Sequence, residues 1–232
     1  MAVPSRSGGS DGSPGSKCTI GGQIVAYTNR LTRVSCDSVI KLGSAVALKY
    51  NIGKIQYVSI GTYWPCSNVS EGSFQSHISR AYNGLSAIQT IKSGVEMAIH
   101  AAIDSGRTVL IGGDFNSDLG VNDHHKLSPW VNGIGLTNAS GGPSASRPSF
   151  RRWDGHKYHE SRIDQVFASD PRIVVDSSPY DANECLTQHL PMFLRTNVEY
   201  CARKELYQGR KRANVMHSAS NRANRIAENA DG

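Results

Sequence analysis

The sequence lacks long apolar runs and any regular cysteine pattern. None of its 232 residues lies in an apolar stretch near the roughly 20 residues that a membrane span requires, so no membrane partner is expected. Its five cysteines show no C-x-x-C spacing, and this odd, scattered set argues against a zinc site and a secreted disulfide framework. The first residues contain no apolar signal-peptide core. The sequence therefore predicts an intracellular protein, nuclear or cytoplasmic, with free thiols.

Basic residues exceed acidic ones, and the net charge is +6 with a pI of about 9.1. From Arg195 onward the sequence contains eight Lys and Arg residues and four Asp and Glu residues, so this stretch contributes +4 of the net charge of +6. A polyanionic partner is compatible with this charge, although a solvated basic tail is the favoured explanation of the last stretch taken alone. Three parts are predicted: a disordered leader at residues 1–17, one domain at residues 18–199 and a weakly helical basic tail at residues 200–232.

Hydrophobic periodicity predicts an α/β fold. Alternating apolar residues indicate strands, and apolar residues at three- and four-residue steps indicate a helix. The predicted strands lie at residues 23–28, 44–50, 54–63, 107–111, 163–168, 173–176 and 192–198, and the predicted helices lie at residues 82–105 and 127–131. The turn Asn51-Ile52-Gly53 predicts a hairpin between the second and third strands. This order predicts an α/β sandwich with mixed sheets inside and helices outside.

Chemistry-bearing side chains adjoin three of these strands. Asp114 and Asn116 follow one strand, Asp164 lies at the start of another, and His189 precedes the last. Each segment alone has an ordinary explanation, since Asp and Asn are common in turns and a lone His is usually solvated. Together they offer a carboxylate to deprotonate water, an amide to donate to a phosphoryl oxygen, and an imidazole that Asp164 would orient.

The ordered segments resemble the endonuclease/exonuclease/phosphatase superfamily. They are Gly113-Asp114-Phe115-Asn116, Ser161-Arg162-Ile163-Asp164 and His189-Leu190-Pro191, supplemented by Tyr63-Trp64-Pro65 and Pro148-Ser149-Phe150. The resemblance runs from about residue 22 to residue 198 and implies a two-sheet α/β sandwich like that of deoxyribonucleases and abasic-site endonucleases. It is greatest to the endonuclease domain of non-LTR (LINE-type) retrotransposons, whose polyproteins continue through a basic linker toward a reverse transcriptase.

The resemblance implies a role for each site residue. Asp114 would orient the nucleophilic water, and Asn116 would hold that water and the phosphate. Tyr63 would support charge developing on the phosphoryl group. Asp164 would pair with His189, which would contact the scissile phosphate. The family's cofactor is Mg²⁺, for which Asp114 and Asn116 would be the remaining, weak ligands.

Two departures from the family pattern concern this metal. No Glu precedes Glu71, so the early glutamate ligand and the first strands are expected to be absent, as in an N-terminally truncated copy. Gln188 stands where the family has Asp, and a neutral carboxamide is a poor ligand for a hard cation. The sequence thus predicts a Mg-dependent endonuclease fold of weakened activity, with DNA as its partner. Two alternatives stay open: a catalytically dead nucleic-acid-binding remnant, and a phosphatase acting on a small phosphoester. The oligomeric state is left open.

Overall fold

A computed structural model describes residues 2–3, 23–27, 29–66, 72–119, 123–139, 147–179 and 188–197. One compact unit spans Met1–Thr196, and only Asn197 of the second unit, Asn197–Gly232, is described. The predicted basic tail at residues 200–232 lies outside the described residues, as does the predicted leader except for Ala2 and Val3. Among the described residues, no helix combines the length and hydropathy needed to cross a membrane.

The described residues form twelve strands, three α-helices and two 3₁₀ helices. The strands are β1 (Ala2–Val3), β2 (Gln23–Ile24), β3 (Thr32–Ile40), β4 (Ala45–Ile52), β5 (Ile55–Tyr63), β6 (Thr108–Asp114), β7 (Thr137–Asn138), β8 (Phe150–Trp153), β9 (Tyr158–Ser161), β10 (Asp164–Ala168), β11 (Val174–Pro179) and β12 (Met192–Thr196). The α-helices are α1 (Phe74–Ala81), α2 (Ala87–Asp104) and α3 (Leu127–Gly133), and the 3₁₀ helices are Lys41–Gly43 and Pro171–Ile173.

A six-stranded mixed sheet in the order β3-β4-β5-β6-β10-β7 dominates the fold. The predicted hairpin is confirmed, because β4 and β5 pair antiparallel up to Ile52 and Ile55, with Gly53 at φ +61° in the turn. Strands β5 and β6 run parallel, and α1 and α2 supply the crossover that a parallel pair requires. Three two-stranded sheets, β1-β2, β8-β9 and β11-β12, complete the described strands. The predicted α/β class is confirmed.

Helix α2 covers one face of this sheet. Its buried residues recur at helical spacing and join the main core: Ala87, Ile91, Val95, Ile99 and Ala102. The predicted helix at residues 82–105 therefore exists, but it begins later, at Ala87. Asn83 and Gly84 have φ values of +56° and +83°, which interrupt the helical path and leave α1 as a separate helix. The core also holds apolar side chains of β4, β5 and β6.

Helix α1, strand β3 and the β8–β9 hairpin are the longest elements without a counterpart among the sequence predictions. Strand β3 is an edge strand of the large sheet, and most of its side chains are exposed or half-buried, so it carries little apolar signal. The β8–β9 hairpin is mostly polar and exposed. Strand β6 also extends beyond the predicted end at Ile111, because Gly112 and Gly113 continue the pairing with β5 and β10.

Candidate active site

Three of the predicted site residues form one row across the large sheet. Asp114 at the end of β6 lies opposite Tyr63 of β5 and opposite Asp164 of β10. Residues that are directly opposite in a sheet place their side chains side by side on the same face. The pairing register therefore brings Tyr63, Asp114 and Asp164 side by side, although about 50 residues of sequence separate each one from the next.

Gly113 allows β5 and β6 to approach each other closely at this row. It has φ +152°, and a Cβ built on it would lie 1.8 Å from the carbonyl oxygen of Thr62. Every other residue type has that Cβ, so a larger side chain would push the two strands apart. The packing of β6 against β5 therefore requires glycine at position 113, independently of the sequence motif to which it belongs.

His189 is positioned by β8 rather than by the large sheet. The backbone N–H of Leu190 donates to the Ser149 carbonyl oxygen at 2.7 Å, and the N–H of Arg151 donates to the Gln188 carbonyl oxygen at 2.9 Å. The His189 ring packs edge-on against Phe150, with 4.9 Å between ring centroids. These contacts place His189 opposite Phe150 in an isolated antiparallel β-bridge beside β8.

The imidazole of His189 lies between two carboxylates. Its Nδ1 donates to Oδ2 of Asp164 at 3.1 Å, which is the contact that the sequence predicted. Its Nε2 is 3.9 Å from Oδ2 of Asp114. The His189 side chain is 41% exposed, whereas those of Asp114 and Asp164 are 15% and 12% exposed. The imidazole is therefore the solvent-facing member of a mostly buried trio.

Asn116 completes the cluster through a strained turn. It has φ +46°, a left-handed conformation that Asn tolerates better than most residues, and its backbone N–H donates to Oδ1 of Asp114 at 2.9 Å. Its Nδ2 donates to the Trp64 carbonyl oxygen at 2.6 Å and to Oδ2 of Asp114 at 3.3 Å. The residues from Asp114 to Asn116 do form a turn, as is common for Asp and Asn. The same turn also brings the side chains of Asp114 and Asn116 into the cluster.

Burial and charge shift several pKa values here. Burial raises the pKa of Asp114 to about 6; the backbone hydrogen bond from Asn116 opposes the shift, the charge of Asp164 adds to it and that of His189 opposes it. Burial also raises the pKa of Asp164, against the hydrogen bond and charge of His189. The pKa of Tyr63 is raised by burial and by the nearby Cys66 and Asp114, against a hydrogen bond with Asn116. A carboxyl group with a pKa near neutrality can take up and release a proton under working conditions.

Two further residues belong to the site but were not among the predicted site residues. The hydroxyl oxygen of Ser149, a fully buried residue, accepts from the backbone N–H of Asp164 at 2.9 Å. The Cys66 thiol donates to Oδ1 of Asn116 at 3.2 Å. Ser149 had a sequence signal in the Pro-Ser-Phe segment, whereas nothing around Cys66 distinguishes it from the other cysteines.

Comparison with known proteins identifies the fold. No protein-family model and no curated protein matches the chain. The endonuclease domain of TRAS1, a telomere-specific non-LTR retrotransposon, matches 72% of this chain and 70% of its own length at 14% identity, with a TM-score of 0.50. An endonuclease/exonuclease/phosphatase family protein from Leptotrichia buccalis C-1013-b matches 72% of this chain and 62% of its own length at 12% identity, with a TM-score of 0.51. This is the endonuclease/exonuclease/phosphatase fold.

The metal implied by the endonuclease/exonuclease/phosphatase fold does not fit the described donors. Mg²⁺ prefers an octahedron of oxygens that includes carboxylates. Asp114 accepts from Asn116 through both oxygens, and the Asn116 oxygen itself accepts from Cys66. Gln188 is exposed and neutral. Among the described residues, no three His, Cys, Asp or Glu side chains form a group that could hold a metal ion.

Proposed function

We propose that this chain hydrolyses phosphodiester bonds in nucleic acid, DNA above all, through Asp114, Asn116, Asp164, His189 and Tyr63. The placement of His189 between the carboxylates of Asp164 at 3.1 Å and Asp114 at 3.9 Å carries this proposal. Such a trio combines a carboxylate that can accept a proton with an imidazole that can donate a hydrogen bond at one edge of a sheet, which suits the attack of water on a phosphate.

Asp164 is the orienting residue in this proposal. Its carboxylate accepts from Nδ1 of His189, which turns Nε2 toward Asp114 and the solvent. A protonated imidazole in that position donates to a non-bridging phosphoryl oxygen and stabilises the charge that builds up on it. Ser149 fixes the Asp164 backbone, and Phe150 fixes the plane of the imidazole.

Asp114 is the proton acceptor. A water between Asp114 and the phosphate gives its proton to the carboxylate as its oxygen bonds to phosphorus, and the bond from phosphorus to the leaving oxygen breaks. The leaving oxygen takes a proton from His189 or from solvent. Asn116 holds the Asp114 carboxylate in place by donating to both of its oxygens, and the Tyr63 hydroxyl donates a hydrogen bond to the phosphoryl group. A pKa near 6 makes Asp114 an effective base just above that pH.

Nucleic acid is the substrate class that charge and fold favour. The net charge of +6 attracts a polyanion, and the TRAS1 domain with the same fold is an endonuclease. Small phosphoesters present less charge and gain less from a basic surface. DNA is therefore the proposed substrate, in preference to a small phosphoester.

Hydrolysis is expected to be slow, because the described donors do not complete a metal site. The family's dependence on Mg²⁺ stays a prediction, and no step above is assigned to the ion. Metal-centred stabilisation of a phosphoryl transition state is worth several kcal/mol, and each 1.4 kcal/mol is about a factor of ten in rate. A rate several orders of magnitude below that of a complete site is expected.

Nicking of supercoiled plasmid tests the proposal. The full chain is incubated with and without Mg²⁺, beside His189→Ala, Asp114→Ala and the control Asp37→Ala, whose carboxylate is exposed on β3. We expect slow nicking that both site variants reduce by about 100-fold or more and that the control leaves unchanged. Nicking that persists in both site variants would refute the assignment.

A nucleic-acid-binding remnant is the second candidate, favoured by Gln188 and by the lack of a metal-binding group among the described residues. The same preparation distinguishes the two. Binding of DNA without any nicking, at every Mg²⁺ concentration, would establish the remnant. Measurable nicking that depends on Asp114 would exclude it.

A further inference from the structure

The carboxamide of Asn116 is held at both ends by one short segment. Its Nδ2 donates to the Trp64 carbonyl oxygen at 2.6 Å, and its Oδ1 accepts from the Cys66 thiol at 3.2 Å. Asn116 in turn donates to both oxygens of Asp114. The segment Trp64-Pro65-Cys66, called the Asn116 clamp below, therefore decides which way round the amide lies and, through the amide, where the Asp114 carboxylate points.

His125 is a buried side chain that contacts this clamp. Strand β5 ends at Tyr63, and Pro65 has no backbone N–H with which to continue its ladder. The backbone carbonyl of Pro65 accepts a hydrogen bond from the ring of His125. The same imidazole lies beside the Trp64 ring, with 6.0 Å between ring centroids, and is only 9% exposed. His125 therefore contacts two of the three clamp residues.

The surroundings of His125 fix which ring nitrogen carries the proton. Burial lowers its pKa, as does the charge of Lys92, against the hydrogen bond to Pro65. His124 lowers the pKa further and Asp123 raises it. The imidazole is therefore neutral at neutral pH, with a single N–H. Its Nε2 has no hydrogen-bond partner among the described residues, so the N–H lies on Nδ1 and is the donor to Pro65.

We propose that His125 is a positioning residue of the candidate active site: it holds the Pro65 carbonyl, and so keeps Trp64 and Cys66 where they grip the carboxamide of Asn116. The catalytic consequence rests on the proposed function, but the clamp itself needs no catalysis. With the clamp released, the amide turns over and sets its oxygen against an oxygen of Asp114. Two acceptors then face each other, which moves the carboxylate away from its position in the site.

Two polar substitutions separate positioning from mere packing. In His125→Asn the side-chain NH₂ lies near the position of Nδ1 and still reaches Pro65, whereas in His125→Gln it lies near the position of Nε2 and does not. A purely structural role predicts similar effects of the two variants. The matched control is His100→Asn, a histidine on α2 whose side chain is 54% exposed and lies outside the site.

NMR of the folded full chain reads the clamp without any substrate. The side-chain NH₂ signals of Asn116 are assigned by their loss in Asn116→Asp. We expect them at their wild-type positions in His125→Asn and in the control, and shifted in His125→Gln. The ring nitrogens of wild-type His125 supply a measurement that needs no variant. They should show the Nδ1–H tautomer, and the Nε2–H tautomer would overturn the proposal.

Single-turnover nicking of supercoiled plasmid supplies the second readout. His125→Gln should lower the rate constant about 10- to 100-fold, the loss expected from a misplaced reacting group, and change the plasmid affinity less than about threefold. His125→Asn should restore most of the rate. The control should match the wild type in both quantities.

The results separate this inference from the proposed function. Asn116 signals that do not move in His125→Gln, or that move as far in His125→Asn, overturn the proposal even if the chain nicks DNA. Signals that move in His125→Gln without any loss of nicking overturn the positioning role. Signals that move only in His125→Gln, in a chain that never nicks DNA, support the clamp and refute the proposed function. The same movement together with slower nicking supports both.

Discussion

Replacing Asp114 with Asn should stabilise the folded protein at neutral and alkaline pH. Asp114 is 15% exposed, and burial raises its pKa from 3.8 to about 6, so its ionised form destabilises the native state. The charged groups that face it are His189 and Asp164, which act in opposite directions. Asn keeps the oxygen that accepts from the Asn116 backbone and removes the charge.

The magnitude follows from the difference between the two pKa values. The rise from 3.8 to about 6 corresponds to about 3 kcal/mol. The net pKa already includes the attraction of His189. Loss of the hydrogen bond from Asn116 Nδ2 to Oδ2 of Asp114 at 3.3 Å, where the variant presents an amide N–H instead, offsets about 1 kcal/mol of the gain and leaves about 2 kcal/mol. For a chain of this size that gain corresponds to a rise in Tm of about 4–8 °C.

The pH dependence has a definite sign. Between the unfolded value of 3.8 and the folded value of about 6, the native protein binds more protons at Asp114 than the unfolded chain, so wild-type stability falls as pH rises. The stability of Asp114→Asn should not fall in this pH range for this reason, because Asn does not titrate. The stability difference between variant and wild type should be small at about pH 4 and complete above about pH 7.

Urea denaturation of both proteins across this pH range measures the difference. Asp37→Asn is the matched control, since Asp37 is 54% exposed and pairs with Lys49 at 2.7 Å on the same sheet; it should lose at most about 1 kcal/mol. A variant that is less stable than wild type at about pH 8, or a difference that does not change with pH, would refute the burial argument.

Three further substitutions test the packing around the site. Gly113→Ala should lower the free energy of unfolding by about 3 kcal/mol or more in urea denaturation, because its Cβ would overlap the Thr62 carbonyl oxygen. Gly133→Ala is the control and should not destabilise in this way, because a Cβ at that position has no atom within 4 Å. Equal effects of the two substitutions would contradict the close approach of β5 and β6. Phe115→Ala should lower the free energy of unfolding by about 3–5 kcal/mol, because Phe115 is fully buried. It should also reduce nicking, because Phe115 lies between Asp114 and Asn116 in the sequence. Unchanged nicking would show that the core does not position the site. Ser149→Ala should cost about 1–3 kcal/mol and slow nicking more than it weakens DNA binding, and an equal loss of both would count against a positioning role.

Local sequence signals predicted the elements whose pattern is complete within a short segment. Strands β4 and β5 and their turn were predicted from alternation and from Gly53, and α2 from the helical spacing of its apolar residues. The segments that hold Asp114, Asp164 and His189 were found because their order matches a known family. Helix α1 and the edge strand β3 were missed, since their signals are polar or depend on packing.

The sequence by itself determined the class of the fold and the identity of the candidate site residues, because apolar periodicity and short motifs are local. Tertiary structure alone decided the pairing register that aligns Tyr63 and Asp164 with Asp114. It also decided that β8 holds His189 against Asp164 and extends into a hairpin with exposed aromatic rings. These contacts join residues far apart in the chain, and their energies come from packing and hydrogen bonds that no single segment contains.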